Sequence, residues 1–271
     1  MATRYQAPSV KKAFQILKLI SKANRGLGIT ELANSLEMSK GTVHGIISAL
    51  EESGTIMRHP LTKKYTLGFT LFELGKLAYS QIDLKDLARP VMENLMERTQ
   101  ESVYVGVLNG EHITILDIAE SSQDLKITSP RGTTIPLFAG ATGKVILASM
   151  DKEKALDIIR SNGLPRFTER TITDPEVYIQ EIERARETGY ATDYEEYISG
   201  VRAVASAIKG WKPLISAIWV VGFKTSLDDH KMETLINVTR EAAEEISRRI
   251  EEQSISHDLR KVSGWPNEPP R

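Results

Sequence analysis

Between Ile29 and Ile56 apolar residues recur at helical spacing twice in quick succession. In the first run Leu32, Ala33 and Leu36 share one face. In the second, Ser39 stands as an N-cap, and Val43, Ile46, Ile47 and Leu50 follow at i, i+3, i+4 and i+7. The pattern predicts a helix-turn-helix. Its second helix carries Ser39, Lys40, Thr42, His44 and Ser48 away from the apolar stripe, as a helix that enters a DNA groove would. An ordinary αα-hairpin has the same pattern, so these residues alone leave both readings open.

The flanking segments add to the first reading. Val10 to Ser21 predicts a support helix with Val10, Phe14, Leu17 and either Ile20 or Ser21 inward, and Thr30 is placed to cap the helix after it. Gly54 ends the second helix, Thr55 to Arg58 reads as a strand, Pro60-Leu61-Thr62 as a turn and Lys63 to Leu67 as a returning strand. A helix-turn-helix followed by a basic hairpin is a winged helix. Arg58, His59, Lys63 and Lys64 fall on the wing, where basic side chains meet phosphate rather than bases. Arg4, ahead of the module, belongs either to an arm that enters a minor groove or to a loose terminus.

Phe69 to Ser80, FTLFELGKLAYS, is apolar on more than one face. A small module cannot bury such a helix alone, so the expectation is pairing with the same helix of a second subunit, packing on the chain's own C-terminal domain being the other option. The period then changes. Helix is expected over Leu87 to Thr99, and strands over Val103 to Leu108, Ile113 to Ala119 and Leu125 to Ser129, the first two joined by an Asn109-Gly110 hairpin. Helices follow at Gly143 to Ser149, Lys152 to Arg160 and Pro175 to Thr188. Strands return at Tyr190 to Asp193, Arg202 to Ile208 and Leu214 to Gly222, and a long helix closes from Leu227 to Glu252. The fold class is α+β. The expected domains are residues 1–68 for DNA binding, 69–85 as linker and dimerisation helix, 86–253 for effector binding, and 254–271 as a disordered tail.

Composition narrows the chemistry. The net charge is −1, yet residues 1–85 hold 12 Lys+Arg against 6 Asp+Glu, so the basic charge sits with the winged helix. With Cys 0 there is no disulfide, no thiolate nucleophile and no cysteine zinc site. His44, His59, His112, His230 and His257 form no ligand pair, and neither cofactor nor metal is expected. No apolar run reaches the roughly 18 residues that span a bilayer, and MATRYQAPSVKK lacks a signal-peptide core. A cytoplasmic protein without membrane partners is expected. Gly140 to Lys144 is not a phosphate-binding loop: Phe138 stands where the first glycine is required, and Val145 follows Lys144 where Ser or Thr is needed.

The order of winged helix, linker helix and α+β domain resembles the isocitrate-lyase-regulator (IclR) family of bacterial transcription factors over roughly residues 8 to 252. The stretches that carry the likeness are ITELANSLEMSKGTVHGIISALEESGTI, PLFAGATGKVILASM and GYATDYEEYISGVRAVASAI. The resemblance implies a dimer or dimer of dimers on a double-stranded operator, with a GAF-like domain that senses a small organic acid or aromatic metabolite. It assigns Ile127, Phe138, Ala141, Thr142, Asp193, Ala203, Trp219 and Val221 to the effector cavity. Ala141 and Thr142 would hold a carboxylate at a helix N-terminus, a simple packing turn being the alternative. Asp193 would accept hydrogen bonds from the ligand, the alternatives being a solvated acidic loop or an ion pair with Arg202. The chain departs from the family where Phe138 replaces histidine, Ala203 replaces cysteine, and Trp219 and Val221 replace polar residues. These changes imply a drier, more aromatic pocket with Trp219 and Phe138 as stacking walls. In the recognition helix, Gly41 and Gly45 replace residues that are often Ser and Arg, removing one candidate guanine contact.

The function expected is therefore a ligand-responsive DNA-binding transcription regulator. A ligand-independent DNA-binding protein whose C-terminal domain only oligomerises is the alternative. An enzyme built on Asp193, Glu195 and Lys144 lacks any nucleophile–base pair.

Overall fold

The computed structural model describes residues 7–210 and 214–262, with side chains described as far as Gln253. The chain divides into two units, Met1–Ile82 and Asp83–Arg271.

The first unit is a winged helix. Helices α1 (Pro8–Ser21), α2 (Ile29–Ser35) and α3 (Lys40–Glu52) are followed by strands β1 (Ile56–Arg58) and β2 (Tyr65–Leu67) and by helix α4 (Phe69–Ser80). Its core joins Ile16, Ile20, Leu32, Val43, Ile47 and Ile56. The inward face of α1 matches expectation at Leu17 and Ile20, which pack in the core, but not at Val10 and Phe14, which are exposed; Ile16 is buried in their place. So small a core covers only the C-terminal half of that helix. The cap of α2 also differs. Thr30 is not its N-cap; Gly28 is, and its N–H donates to the Glu31 carboxylate at 2.7 Å. At α3 the expected cap is present, with Ser39 Oγ accepting from the Thr42 N–H at 3.1 Å. The wing pairs Ile56 with Leu67 and Arg58 with Tyr65. A third edge comes from Leu27, whose N–H and C=O exchange hydrogen bonds with Tyr65. That approach requires Gly26, at φ +67°, because a Cβ there would stand 2.6 Å from the Tyr65 carbonyl oxygen. Helix α4 buries no residue, and Phe69, Phe72, Leu74 and Leu77 are all exposed.

The second unit opens with helix α5 (Leu84–Thr99) and strands β3 (Ser102–Asn109), β4 (His112–Ala119) and β5 (Thr134–Pro136). Helices α6 (Gly140–Ala148), α7 (Lys152–Asn162) and α8 (Pro175–Thr188) follow, then strands β6 (Tyr190–Tyr194), β7 (Val201–Ile208) and β8 (Ser216–Phe223), and helix α9 (Asp229–Val262). The six strands form one antiparallel sheet in the order β5-β4-β3-β8-β7-β6. Helices α6 and α8 contact it on one side, with Tyr104, Ala205, Ala217 and Trp219 facing them; α5 and α9 pack against β3, β4, β7 and β8. All nine residues of α6 are buried, Thr142 and Lys144 among them.

Strand β5 is not expected from the sequence, α5 begins three residues before Leu87, and further boundaries depart from the sequence reading. Leu125 to Ser129 forms no strand; its segment is held instead by side chains, Tyr104 Oη donating to the Ile127 carbonyl at 2.9 Å and Arg131 pairing with buried Asp117. Helix α6 begins at Gly140, three residues earlier than expected, and Gly143 lies inside it because a Cβ there would meet the Leu137 carbonyl. Helix α9 runs to Val262, past Ser254, where a disordered tail is expected to begin. From Asp229 onward no proline or glycine interrupts the chain before Gly264.

Candidate nucleic-acid interface and effector cavity

Val43 and Ile47 anchor α3 in the core, which fixes the opposite face outward. Lys40, His44 and Ser48 are exposed there, while Ser39 and Thr42 bond to each other at 2.9 Å in the cap. On the wing Arg58 and Lys63 are exposed, the Arg58 guanidinium lying 5.8 Å from the Tyr65 ring centroid. Lys64 is engaged elsewhere: its Nζ lies 2.9 Å from Glu31 Oε1. The Glu31 carboxyl is held below its usual range by the Gly28 N–H and by Lys64. His59 is a turn acceptor, its Nδ1 taking the N–H of Leu61 at 3.3 Å and of Thr62 at 3.2 Å. Arg4 lies outside the described residues.

The cavity in the second unit follows from strand register. Asp193 pairs with Ala203, Ala203 with Val221, and Trp219 with Tyr104, so these side chains rise on one face of the sheet. The Tyr104 and Trp219 rings stack with centroids 5.5 Å apart and planes at 9°. Beside them α6 presents Ala141 and Thr142, and the segment after β4 contributes Ile127. The cavity is partly open to the surface and has a volume of about 90 Å³. Seven of the eight residues assigned to the cavity therefore come together. Phe138 does not: its ring packs edge-on against Tyr178, 6.0 Å between centroids, and does not line the cavity. The sequence reading omitted Tyr104, Ile115, Ser129, Ile135 and Tyr197, which also line it. Strand alternation through β3 and β4 was the available signal for Tyr104 and Ile115; the loop residues had none.

Charge in this region is concentrated beside α6. Lys144, 1% exposed, donates to Glu196 at 2.6 Å, to the Thr192 carbonyl at 3.0 Å and to Glu181 at 3.4 Å. All three N–H groups of its ammonium are occupied. Asp193 Oδ1 accepts the Glu196 N–H, and Oδ2 occupies the space that a side chain on Gly140 would fill, which explains glycine at φ +46° there. Burial pushes the Asp193 carboxyl up to about 6, against the opposing effect of that N–H. Burial raises Glu196 as well. Arg202, the partner weighed for Asp193, pairs with Asp229 at 2.7 Å.

These features coincide with known families over most of the chain. The IclR helix-turn-helix domain matches residues 9–60, and the bacterial transcriptional regulator IclR C-terminal domain matches residues 76–248. The chain belongs to the IclR family. It is similar to the HTH-type transcriptional regulator KdgR of Escherichia coli, 31% identical over 89% of this chain and 92% of that protein. Among solved structures of the IclR family it resembles the Thermotoga maritima IclR, 30% identical with TM-score 0.64, covering 90% of this chain and 98% of that one. An IclR homolog from Microbacterium hydrocarbonoxydans, complexed with 4-hydroxybenzoate, shares the fold at 22% identity and TM-score 0.72, covering 90% of this chain and 99% of that one. As in other members, the N-terminal module is a DNA-binding helix-turn-helix and the protein regulates transcription. Among the described residues no helix is long and apolar enough to cross a membrane.

Proposed function

We propose that the protein is a cytoplasmic, ligand-controlled regulator that binds a double-stranded operator as a homodimer or dimer of dimers and has no catalytic activity. The observation that carries the DNA half is the free face of α3, where Lys40, His44 and Ser48 stand outward on a helix whose other side is core. Arg58 and Lys63 add phosphate affinity from the wing. The ligand half rests on the cavity beneath Ala141, Asp193 and Trp219, which would take a small organic acid or an aromatic metabolite. The IclR homolog that holds 4-hydroxybenzoate lends this fold-level support.

Dimerisation accounts for α4. Phe69, Phe72 and Leu77 lie open on a helix with no buried residue, and two half-sites require two modules at a fixed spacing. A second copy of α4 is the occupant that meets both needs. The small cavity favours a second reading, in which the C-terminal unit only oligomerises. Operator fragments selected from random DNA, titrated with and without a metabolite panel, separate the two. Release or tightening by a metabolite supports ligand control. Binding indifferent to every metabolite supports the second reading. Sedimentation of Phe72→Asp tests the dimer, which should dissociate.

A further inference from the structure

Helix α3 turns its apolar side, Val43, Ile46, Ile47 and Leu50, into the core of the winged helix. At about 3.6 residues per turn the side directly opposite carries Gly41, Gly45 and Ser48, spaced i, i+4 and i+7 and all exposed. Lys40 and His44 flank this line. Charge also runs along the helix, with Lys40 at its start and Glu51 and Glu52 at its end, so its first two turns are the part suited to a DNA groove. The outermost surface of those turns presents one hydroxyl and otherwise bare backbone.

Nothing in the fold requires either glycine. Neither has a positive φ. A Cβ on Gly45 would meet no atom within 4 Å, and one on Gly41 would first meet Ser39 Oγ at 4.0 Å. Gly26, in contrast, is held to glycine by the Tyr65 carbonyl. An interior glycine such as Gly45 lowers a helix's folding equilibrium about fivefold relative to alanine. That loss is offset where another molecule uses the bare backbone. Helix Cα atoms lie about 2.3 Å from the axis, whereas side chains carry the surface to about 5–6 Å. A glycine face therefore lets the axis come closer to the floor of the major groove, about 8.5 Å deep. We infer that α3 docks backbone-first, with Gly45 against base edges and Gly41 one turn before it. Gly45 is then a specificity-determining residue, because the operator fills the space that a side chain would take. The site is that of the recognition helix, and the inference rests on the operator-binding reading.

The test compares the full chain with Gly45→Ala on two duplexes of equal length, one selected from random DNA by the parent protein and one of unrelated sequence. By fluorescence anisotropy the variant should bind the selected duplex at least fivefold more weakly and the unrelated duplex within twofold of the parent. Hydrogen exchange of the α3 amides should slow about fivefold, since alanine strengthens the helix. A loss smaller than fivefold on the selected duplex overturns the inference, because the space beyond Gly45 is then not filled by base edges. A matching loss on both duplexes assigns the effect to phosphate contacts and overturns it too. Faster exchange in the variant would make Gly45 a folding requirement, with the same result. If the parent enriches no duplex from random DNA, the operator-binding reading itself fails and takes the inference with it.

Discussion

Lys64 Nζ lies 2.9 Å from Glu31 Oε1, joining the wing to α2. Both side chains are partly exposed, so the pair adds little stability. Its consequence is for DNA binding, because an ammonium already paired offers less to phosphate. A lysine that fully meets a phosphate contributes about 0.9 to the slope of log K against log salt. Lys63→Ala and Lys40→Ala should each flatten the slope by an amount of that order, and Lys64→Ala by less than half as much. Glu31→Gln, which frees Lys64, should steepen it. Fluorescence anisotropy at four salt concentrations measures all four variants, and equal effects at Lys63 and Lys64 would show that the Glu31 pair opens on DNA.

Gly106 lies beneath the indole of Trp219. A Cβ on it would stand 2.9 Å from Cη2 of that ring and 2.7 Å from the Thr114 carbonyl oxygen. Gly106→Ala should push Trp219 off its stack with Tyr104 and lower stability by about 1–3 kcal/mol. Near-ultraviolet circular dichroism and thermal unfolding read the two effects. An unchanged aromatic spectrum would mean the strand bulge at Val105 and Gly106 absorbs the methyl.

The sequence made the winged helix legible because each of its devices is local: Ser39 caps α3 through the Thr42 N–H three residues on, and Val43 and Ile47 repeat within it. Strands β3 and β4 were legible for a similar reason, since alternation and Asn109-Gly110 mark a hairpin. What stayed hidden depends on contacts far apart in the chain. The pairing of Lys64 with Glu31 spans 33 residues, and the segment after β4 is held by Tyr104 and Asp117 rather than by ladder bonds. Phe138 shows the same limit. The family resemblance implied a cavity wall there, but the turn into α6 aims its ring at Tyr178 on α8.

Lys144, whose ammonium is buried, ties α6 to α8 and to the β6–β7 connection through ion pairs with Glu181 and Glu196. Removing one partner of such a cluster leaves uncompensated charge in the interior, typically at a cost of about 3–5 kcal/mol. Lys144→Met should unfold the second unit at markedly lower urea concentration. Glu196→Gln added to it removes one orphaned charge and should recover part of the loss. A Lys144→Met variant as stable as the parent would mean that water reaches Glu196 and Glu181 once the ammonium is gone.

The raised Asp193 carboxyl makes stability depend on pH in a direction opposite to that of a salt-bridged aspartate. Its folded value is about 6, against 3.8 for the unconstrained group, so between those values the folded chain holds a proton that the unfolded chain has lost. Folding is therefore favoured by this group as pH falls from about 6 towards 4, and the cost of its ionisation is fully present above 6. At about 1.4 kcal/mol per pH unit the ceiling is about 3 kcal/mol. Asn at this position carries no such charge and still offers an oxygen to the Glu196 N–H. Asp193→Asn should stabilise the second unit by about 1–3 kcal/mol at pH 7.5, with the advantage disappearing near pH 4. Urea unfolding of both proteins across that range checks it. A difference independent of pH would assign the effect to packing against Gly140 instead of to charge.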